Sequence, residues 1–420
     1  MSKKGKTALV PKLRFPEFYS TSEWNGCTLG EIADRITEKV GDRELTTLSI
    51  SAGIGFVSQA EKFSRDISGK QYENYIVLRK GEFSYNKGNS KKFPQGCIYE
   101  LKEYEEAAVP NAFISFRFKD SYLSDFYKGY FDNNFHGKQL VKFITSGARS
   151  DGLLNINPSD FFSIILPTPK EKEEQQKIAD CLSSLDDLIT AEENKLAALK
   201  LHKKGLMQKL FPAEGKTLPE WRFPEFKGSG KWVINELGSI GDIVTGKTPD
   251  TSDDALWNGD IQFITPTDIT ENKYQIKTQR TVVNNSKIKV LPENSIMFTC
   301  IASVGKMAMT VYPCITNQQI NTLIPFKAFY NEYIYYALLK KSSIIKATLA
   351  SSTLPIINKT EFSKISIVVP ESFEEQQKIA DCLSSVDELI TAQAEKIDAL
   401  KIHKKGLMQG LFPSIEEVGE

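Results

Sequence analysis

Residues 173–212 read EEQQKIADCLSSLDDLITAEENKLAALKLHKKGLMQKLFP, and residues 374–413 read EEQQKIADCLSSVDELITAQAEKIDALKIHKKGLMQGLFP. The offset is 201 residues and 31 of the 40 positions are identical, so the chain carries an internal duplication. In the first copy, apolar residues recur in steps of four and three: Ile178, Leu182, Leu185, Ile189, Leu196, Leu199, Leu206 and Leu210. The second copy has Ile379, Leu383, Val386, Ile390, Ile397, Leu400, Leu407 and Leu411 at the matching places. This is a heptad seam with two polar interruptions, Glu192 and Lys203 in one copy, Gln393 and Lys404 in the other. Each copy therefore predicts one long helix. Ser372 with Glu375 reads as a capping box, and Pro212 and Pro413 stop the two helices. Acids at the start and lysines at the end complement the helix dipole.

A second block repeats at an offset of 208: LRFPEF (Leu13 to Phe18) returns as WRFPEF (Trp221 to Phe226), and Trp24, Leu29 and Gly30 return as Trp232, Leu237 and Gly238. Between the blocks, residues 31–156 and 239–357 share almost no identity, although Asn157 to Phe161 parallels Asn358 to Phe362. The order is variable unit, fixed helix, variable unit, fixed helix. Were the two termini joined, the RFPEF block would follow each helix, so the chain reads as a cyclic pseudo-dimer opened at one linker. The simplest arrangement is an antiparallel helix pair with a domain at each end. The alternative is that each helix packs separately on its own domain; matching interruptions favour direct pairing. In such a pair Glu192 is expected near Lys404.

The variable units read as α+β. Tyr75 to Leu78, Ala112 to Phe118, Ile261 to Ile264, Ser295 to Phe298 and Lys306 to Val311 suit strands, and 121–143 and 331–349 suit helices. Gly241 to Thr248 satisfies the letter pattern of a phosphate-cradling loop, but no buried strand precedes it and a loop, Pro249 to Asp254, comes after it. Nucleotide binding is therefore rejected. No methyltransferase cofactor loop, amino-methylase tetrapeptide or clustered nuclease carboxylates occur. His202 and His403, at repeated helix positions, suit a shared partner-facing surface better than base catalysis. Six cysteines without a CxxC pair and three histidines argue against zinc and for a reducing cytoplasm. No run approaches the roughly 18 apolar residues of a membrane span, and the N-terminal stretch lacks a signal-peptide core.

Net charge is zero, but its distribution is uneven. Residues 273–346 hold ten Lys or Arg against two acids, and 62–92 hold eight against three. Such runs are either solvated surface or phosphate-facing. Loops dense in hydrogen-bonding side chains accompany them. In the first unit the candidates are Asn86, Lys87, Ser90, Lys91, Lys92 and Gln95, with Arg149 and Ser150 in a second loop. In the second unit they are Thr248, Ser303, Lys306, Asn317, Gln318, Gln319, Ser351 and Ser352. Asn and Gln pair bidentately with adenine, and Lys or Arg with guanine. Ordinary loop composition is the competing reading for each.

The paired helix motif, opening EEQQKIADCL and closing KKGLMQ, resembles the spacer regions of type I restriction–modification specificity subunits. Gly246 to Pro249, Trp257 to Pro266, and Val304 to Lys306 through Asn317 and Gln318 are similar to that family's recognition domains. Residues 20–169 are more divergent, sharing chiefly Gly81 to Phe83, Arg149, Ser150 and the approach to Pro167. The resemblance implies two α+β target recognition domains, 20–169 and 228–370, separated by antiparallel coiled-coil helices at 170–212 and 371–413. Residues 1–19 and 213–227 would carry the RFPEF blocks, and 414–420 a tail. It further implies a non-catalytic subunit that binds double-stranded DNA with two methyltransferase subunits and two restriction/translocase subunits, without membrane contact. S-adenosylmethionine, ATP and Mg would belong to those partners, with no cofactor in this chain. A specificity subunit of a methylation-only or fused nuclease–methylase system is the near alternative, and a coiled-coil adaptor that binds no DNA the distant one.

Overall fold

The computed structural model describes residues 9–64, 69–88, 93–144, 154–284, 288–301, 303–349, 356–413 and 415. The chain divides into two compact units, Met1–Glu192 with Lys396–Glu420, and Glu193–Glu395. Each takes one end of both long helices, α6 (Lys172–Leu210) and α10 (Phe373–Leu411). Each of these helices has 39 residues, a length of about 58 Å at 1.5 Å per residue.

The first unit contains β1 (Asn25–Thr28), α1 (Leu29–Ile32), β2 (Ala33–Arg35), β3 (Leu48–Ser51), β4 (Gly55–Ser58), α2 (Gln59–Phe63), β5 (Ile76–Arg79), β6 (Phe83–Asn86), β7 (Cys97–Glu100), β8 (Glu106–Val109), β9 (Ile114–Phe118), α3 (Ser124–Asp132), α4 (Phe135–Leu140), α5 (Pro158–Phe162) and β10 (Ile165–Thr168). Its main sheet has the order β2-β9-β6-β7, antiparallel throughout. β1 pairs with β10 just before α6 begins. The helix expected over 121–143 is broken: α3 stops at Asp132, and Asn134 takes a left-handed φ of 54° before α4. Asparagine tolerates that conformation better than most residues, so the Asn133-Asn134 pair ends the helix where hydrophobic periodicity alone continues it.

The second unit contains β11 (Val233–Glu236), α7 (Leu237–Ile240), β12 (Gly241–Thr245), β13 (Trp257–Ile264), β14 (Tyr274–Gln275), β15 (Arg280–Val282), β16 (Ile296–Thr299), β17 (Met307–Thr310), β18 (Cys314–Thr316), β19 (Ile320–Pro325), α8 (Asn331–Leu349), α9 (Lys359–Ser363) and β20 (Ser366–Val369). Its main sheet runs β12-β19-β16-β17-β14, and a smaller sheet runs β15-β13-β18. The first four strands repeat the order of the other unit. β11 pairs with β20 as β1 pairs with β10. The two variable units therefore share a sheet beneath sequences that share almost no identity. Their additions differ: separate β3–β4 and β5–β8 ribbons in the first unit, and the β13 sheet in the second.

The helix ends are built into each core. In the first unit Ile178, Ala179 and Leu182 of α6 and Met408, Leu411 and Phe412 at the end of α10 join Trp24, Phe116 and Phe126. In the second, Leu210 and Phe211 with Ile379, Ala380 and Leu383 join Trp232, Phe298 and Tyr333. Fully burying one such side chain is worth about 1.5–3 kcal/mol, which fixes each helix pair to its sheet. In both units the start of one helix lies beside the end of the other, so the pairing is antiparallel. The expected Glu192–Lys404 neighbourhood is not formed. Lys404 binds Asp186, and Glu192 binds Lys396. Moving six residues forward along one antiparallel helix moves six back along the other, which leaves Glu192 and Lys404 about 9 Å apart along the axis.

The repeated RFPEF and EEQQK motifs meet each other. Arg14 Nε donates to Glu174 Oε1 at 2.7 Å, with Nη2 on Oε2 at 2.8 Å. Arg222 holds Glu375 in the same bidentate way, at 2.6 and 2.7 Å. Both glutamates are 1% exposed. Gln175 accepts from Leu123 N and donates to Pro169 O, while Gln376 accepts from Tyr330 N and donates to Pro370 O. Lys177 reaches Glu17, and Lys378 reaches Glu225. The capping box is accordingly half-made: Ser372 Oγ accepts from Glu375 N at 3.2 Å, but the Glu375 carboxylate goes to Arg222. Leu13 N donates to Gly410 O, and Trp221 N to Lys209 O. The first RFPEF block thus sits at the end of the second helix, as a cyclic repeat requires.

Candidate nucleic-acid interface

In the second unit, strand register brings separate parts of the sequence to one end of the main sheet. Thr245 pairs with Asn321, Thr299 with Ile320, and Phe298 with Met307. That end therefore carries the loop after β12, the β16–β17 turn and the approach to β19. Lys247 N donates to Thr316 O at 2.8 Å, and Gly246 N to Ile320 O at 3.1 Å. A Cβ on Gly246 would lie 2.1 Å from Asn317 O, so only glycine lets these two loops lace together. Thr248 Oγ1 then donates to Gln318 Oε1 at 2.6 Å. Asn317 Oδ1 accepts from Gln319 N, and its Nδ2 donates to Gln319 Oε1. Cys300 N donates to Gln319 O, tying the β16–β17 turn to the cluster.

Thr248, Asn317, Gln318 and Gln319 are thus brought together, with exposed Ser303 and Lys306 on the neighbouring turn. Asn317 is 8% exposed and holds the loop, whereas Gln318 is exposed. Ile357 N donates to Cys300 O, returning the chain to this turn. Ser351 and Ser352 lie outside the described residues.

The first unit builds a similar end from different residues. Asn86, at the end of β6, accepts from Gly88 N at 2.9 Å through Oδ1. Asn86 Nδ2 and Lys62 Nζ both donate to Ile50 O. Gln95 lies across the β6–β7 turn, its carbonyl accepting from Tyr85 OH at 2.7 Å. Gly96 turns the chain there at φ +80°, where a Cβ would lie 2.5 Å from Asn86 O. Leu154 N donates to Lys87 O, matching the Ile357–Cys300 contact of the other unit. Asn86, Lys87 and Gln95 therefore share one hairpin tip. Ser90, Lys91, Lys92, Arg149 and Ser150 lie outside the described residues.

The basic stretches divide according to their partners. Lys273 binds Glu332 at 3.1 Å and Ser384 at 2.9 Å. Lys340 Nζ caps the end of α6 through Phe211 O and Pro212 O, each at 2.9 Å. Lys341 binds Glu214, and Arg280 lies 3.6 Å over the Trp257 ring. Arg79 and Lys80 are paired with Glu38 and Glu105. These cations are engaged by groups of the same unit, Lys273 and Lys340 inside the fold and Lys80 and Lys341 in surface pairs. Lys62 and Lys247, beside the candidate loops, were not singled out from sequence. Lys247 stands inside the rejected phosphate-loop pattern, where only its position in the fold distinguishes it. β12 ends at Thr245 and no helix begins at Lys247-Thr248, so a P-loop is absent.

Burial pushes the Cys97 and Cys300 thiols up to about 11 and Cys314 up to about 12, so all three stay protonated at neutral pH. Among the described residues no three His, Cys, Asp or Glu are grouped to hold a metal ion. No helix among them is long and apolar enough to cross a membrane. The site's chemistry is directional hydrogen bonding with positive charge beside it.

A sequence model described as the type I restriction modification DNA specificity domain matches residues 22–201 and again 229–401. The chain is 31% identical over 193 residues to the type I restriction enzyme MjaIX specificity subunit of Methanocaldococcus jannaschii, covering 44% of each protein. It is 33% identical over 146 residues to the HindI specificity subunit of Haemophilus influenzae, covering 33% of this chain and 32% of that one. The alignments thus span less than half the length of these two relatives. Among solved structures, the S subunit of a type I restriction-modification system from M. genitalium superposes with a TM-score of 0.61, at 16% identity, over 96% of this chain and 99% of that one. A chain from a structure on assembly and conformational transition of the type I R-M system gives 0.57, at 18% identity, over 93% and 97%. These likenesses show the fold.

Proposed function

Because the chain belongs to the type I restriction–modification DNA specificity family, we propose that it is the DNA-reading, non-catalytic subunit of such a complex, each variable unit recognising one half of an asymmetric bipartite target. The observation that carries this reading is the repeated sheet order, with unlike polar loops gathered at the same sheet end in each unit. A common frame with different side chains reads different bases. Exposed Gln318 offers an amide for adenine, and Lys306 a donor for guanine. Asn317 and Gly246 hold the loops, so little conformational entropy is lost on binding.

The helix pair serves as spacer and as a docking surface for two identical methyltransferase subunits. Apart from Phe373 at the start of α10, its large exposed apolar residues recur at matching positions: Leu188 with Leu389, 41% and 56% exposed, and Leu201 with Ile402, 70% and 72% exposed. Repeated apolar surface on a helix otherwise satisfied by its partner fits repeated protein contacts. Two translocating nuclease subunits would complete the complex, and methyl transfer and ATP hydrolysis belong to the partners.

Exchanging residues 239–357 for those of a relative and sequencing the methylome of a host expressing the complex tests the reading. One half of the methylated motif should change and the other stay. A change in both halves would refute independent reading. Absence of salt-sensitive binding to duplex DNA would instead favour an adaptor.

A further inference from the structure

Beside the loop cluster of the second unit lies a cleft of about 180 Å³, lined by Thr245, Gly246 and Lys247 on one side and by Ile288, Lys289 and Leu291 on the other. Ile315 and Thr316, at the end of β18, complete the lining with Val244. The lining carries two lysines and no carboxylate. Lys247 and Lys289 are exposed, and neither has an ion-pair partner among the described residues. Thr316 is 1% exposed, and its hydroxyl has no hydrogen-bond partner among those residues. A buried hydroxyl without a partner is costly unless something supplies one.

We infer that this cleft seats one backbone phosphate of the bound DNA, held by Lys247 and Lys289 with the Thr316 hydroxyl as a further donor. Thr248 follows Lys247 directly and is tied to Gln318. A phosphate fixed at Lys247 therefore sets the position of the base-reading pair relative to the duplex. Phosphate contacts position a protein and base contacts specify the sequence, and the two kinds of residue stand next to each other here. The inference rests on the DNA-reading function proposed above, and it adds which groups anchor the backbone.

The test uses the full chain in its methyltransferase complex, with target and non-target duplexes across a salt series. Lys247→Gln, Lys289→Gln and Thr316→Val are compared with Lys364→Gln, an exposed lysine outside the cleft. Each of the first two should weaken binding to both duplexes by a similar factor and reduce the log–log salt slope by about 1, leaving the methylated motif unchanged. Thr316→Val should keep thermal stability and lose several-fold affinity, while Lys364→Gln changes neither. Unchanged slope and affinity in the cleft variants, with the wild type still binding in a salt-dependent way, would overturn the phosphate site alone. A changed motif would overturn it too, since the lysines would then be reading bases. No DNA binding by the wild type would instead remove the functional reading on which it rests.

Discussion

Lys203 and Asp387 meet at 2.6 Å across the helix pair of the second unit, each about one-fifth exposed. Tyr336 OH donates to the same carboxylate at 2.6 Å, and the lysine lies 5.3 Å over the Tyr336 ring. Burial first, and Asp387 second, push the Tyr336 phenol up, so it remains a donor. The first unit forms the corresponding contact between Lys404 and Asp186. The lysine interruption of each seam is thus matched by an acid that follows a seam residue, Val386 or Leu185, on the facing helix. The lysine of each seam is satisfied by this acid in the register observed.

Reversing Asp387→Lys should destabilise the protein, and adding Lys203→Asp should restore part of the loss. A double-mutant cycle read by denaturant unfolding should give a coupling of about 1–3 kcal/mol. A coupling indistinguishable from zero would mean that the pair does not specify register.

The Arg222–Glu375 pair should be far more costly to break than any surface ion pair. Removing one partner leaves the other charge buried, at a cost of about 3–5 kcal/mol. Arg222→Ala should therefore lower the unfolding temperature markedly, with the double variant Arg222→Ala, Glu375→Gln less damaged than the single changes combined. Loss below about 1 kcal/mol for Arg222→Ala would show that water satisfies Glu375.

His136 gives the first unit a pH dependence. It is 1% exposed, both ring nitrogens lack a partner among the described residues, and burial pushes its pKa down to about 3 from 6.5. Below pH 6.5 the unfolded chain takes a proton that the folded one refuses. The contribution is therefore full above that pH and is lost as pH falls toward 3, by about 1.4 kcal/mol per unit within the window. His136→Phe should flatten the stability profile across the upper part of that window, just below the ordinary histidine range. An unchanged slope in chemical unfolding would assign the acid sensitivity elsewhere.

Inserting four residues after Leu199 lengthens α6 by about 6 Å and turns the helix beyond the insertion by about 40° relative to a whole turn. The unread gap of the target should lengthen, or binding should fail, while the bases read within each half stay the same. Methylome sequencing that returns the original gap at undiminished affinity would show that the helices do not set the distance.

The sequence by itself determined the features that are local or literally repeated. Heptad steps, stop prolines and a 201-residue offset specify two like helices, because a helix buries one face at a period visible in a single stretch. The strand around Ile296 and the helix from Asn331 were legible for the same reason. Tertiary structure alone decided which distant segments meet. Nothing periodic joins β2 to β9, or Arg14 to a glutamate 160 residues away, and pairing free energy there depends on closing long loops around a shared core. The register that gives Lys404 to Asp186 instead of Glu192 is decided in the same way. So is the convergence of Thr248, Ser303 and Gln318 on one sheet end: a strand's partners are chosen by packing across the sheet, and side chains remote in the chain become one surface only when that sheet has formed.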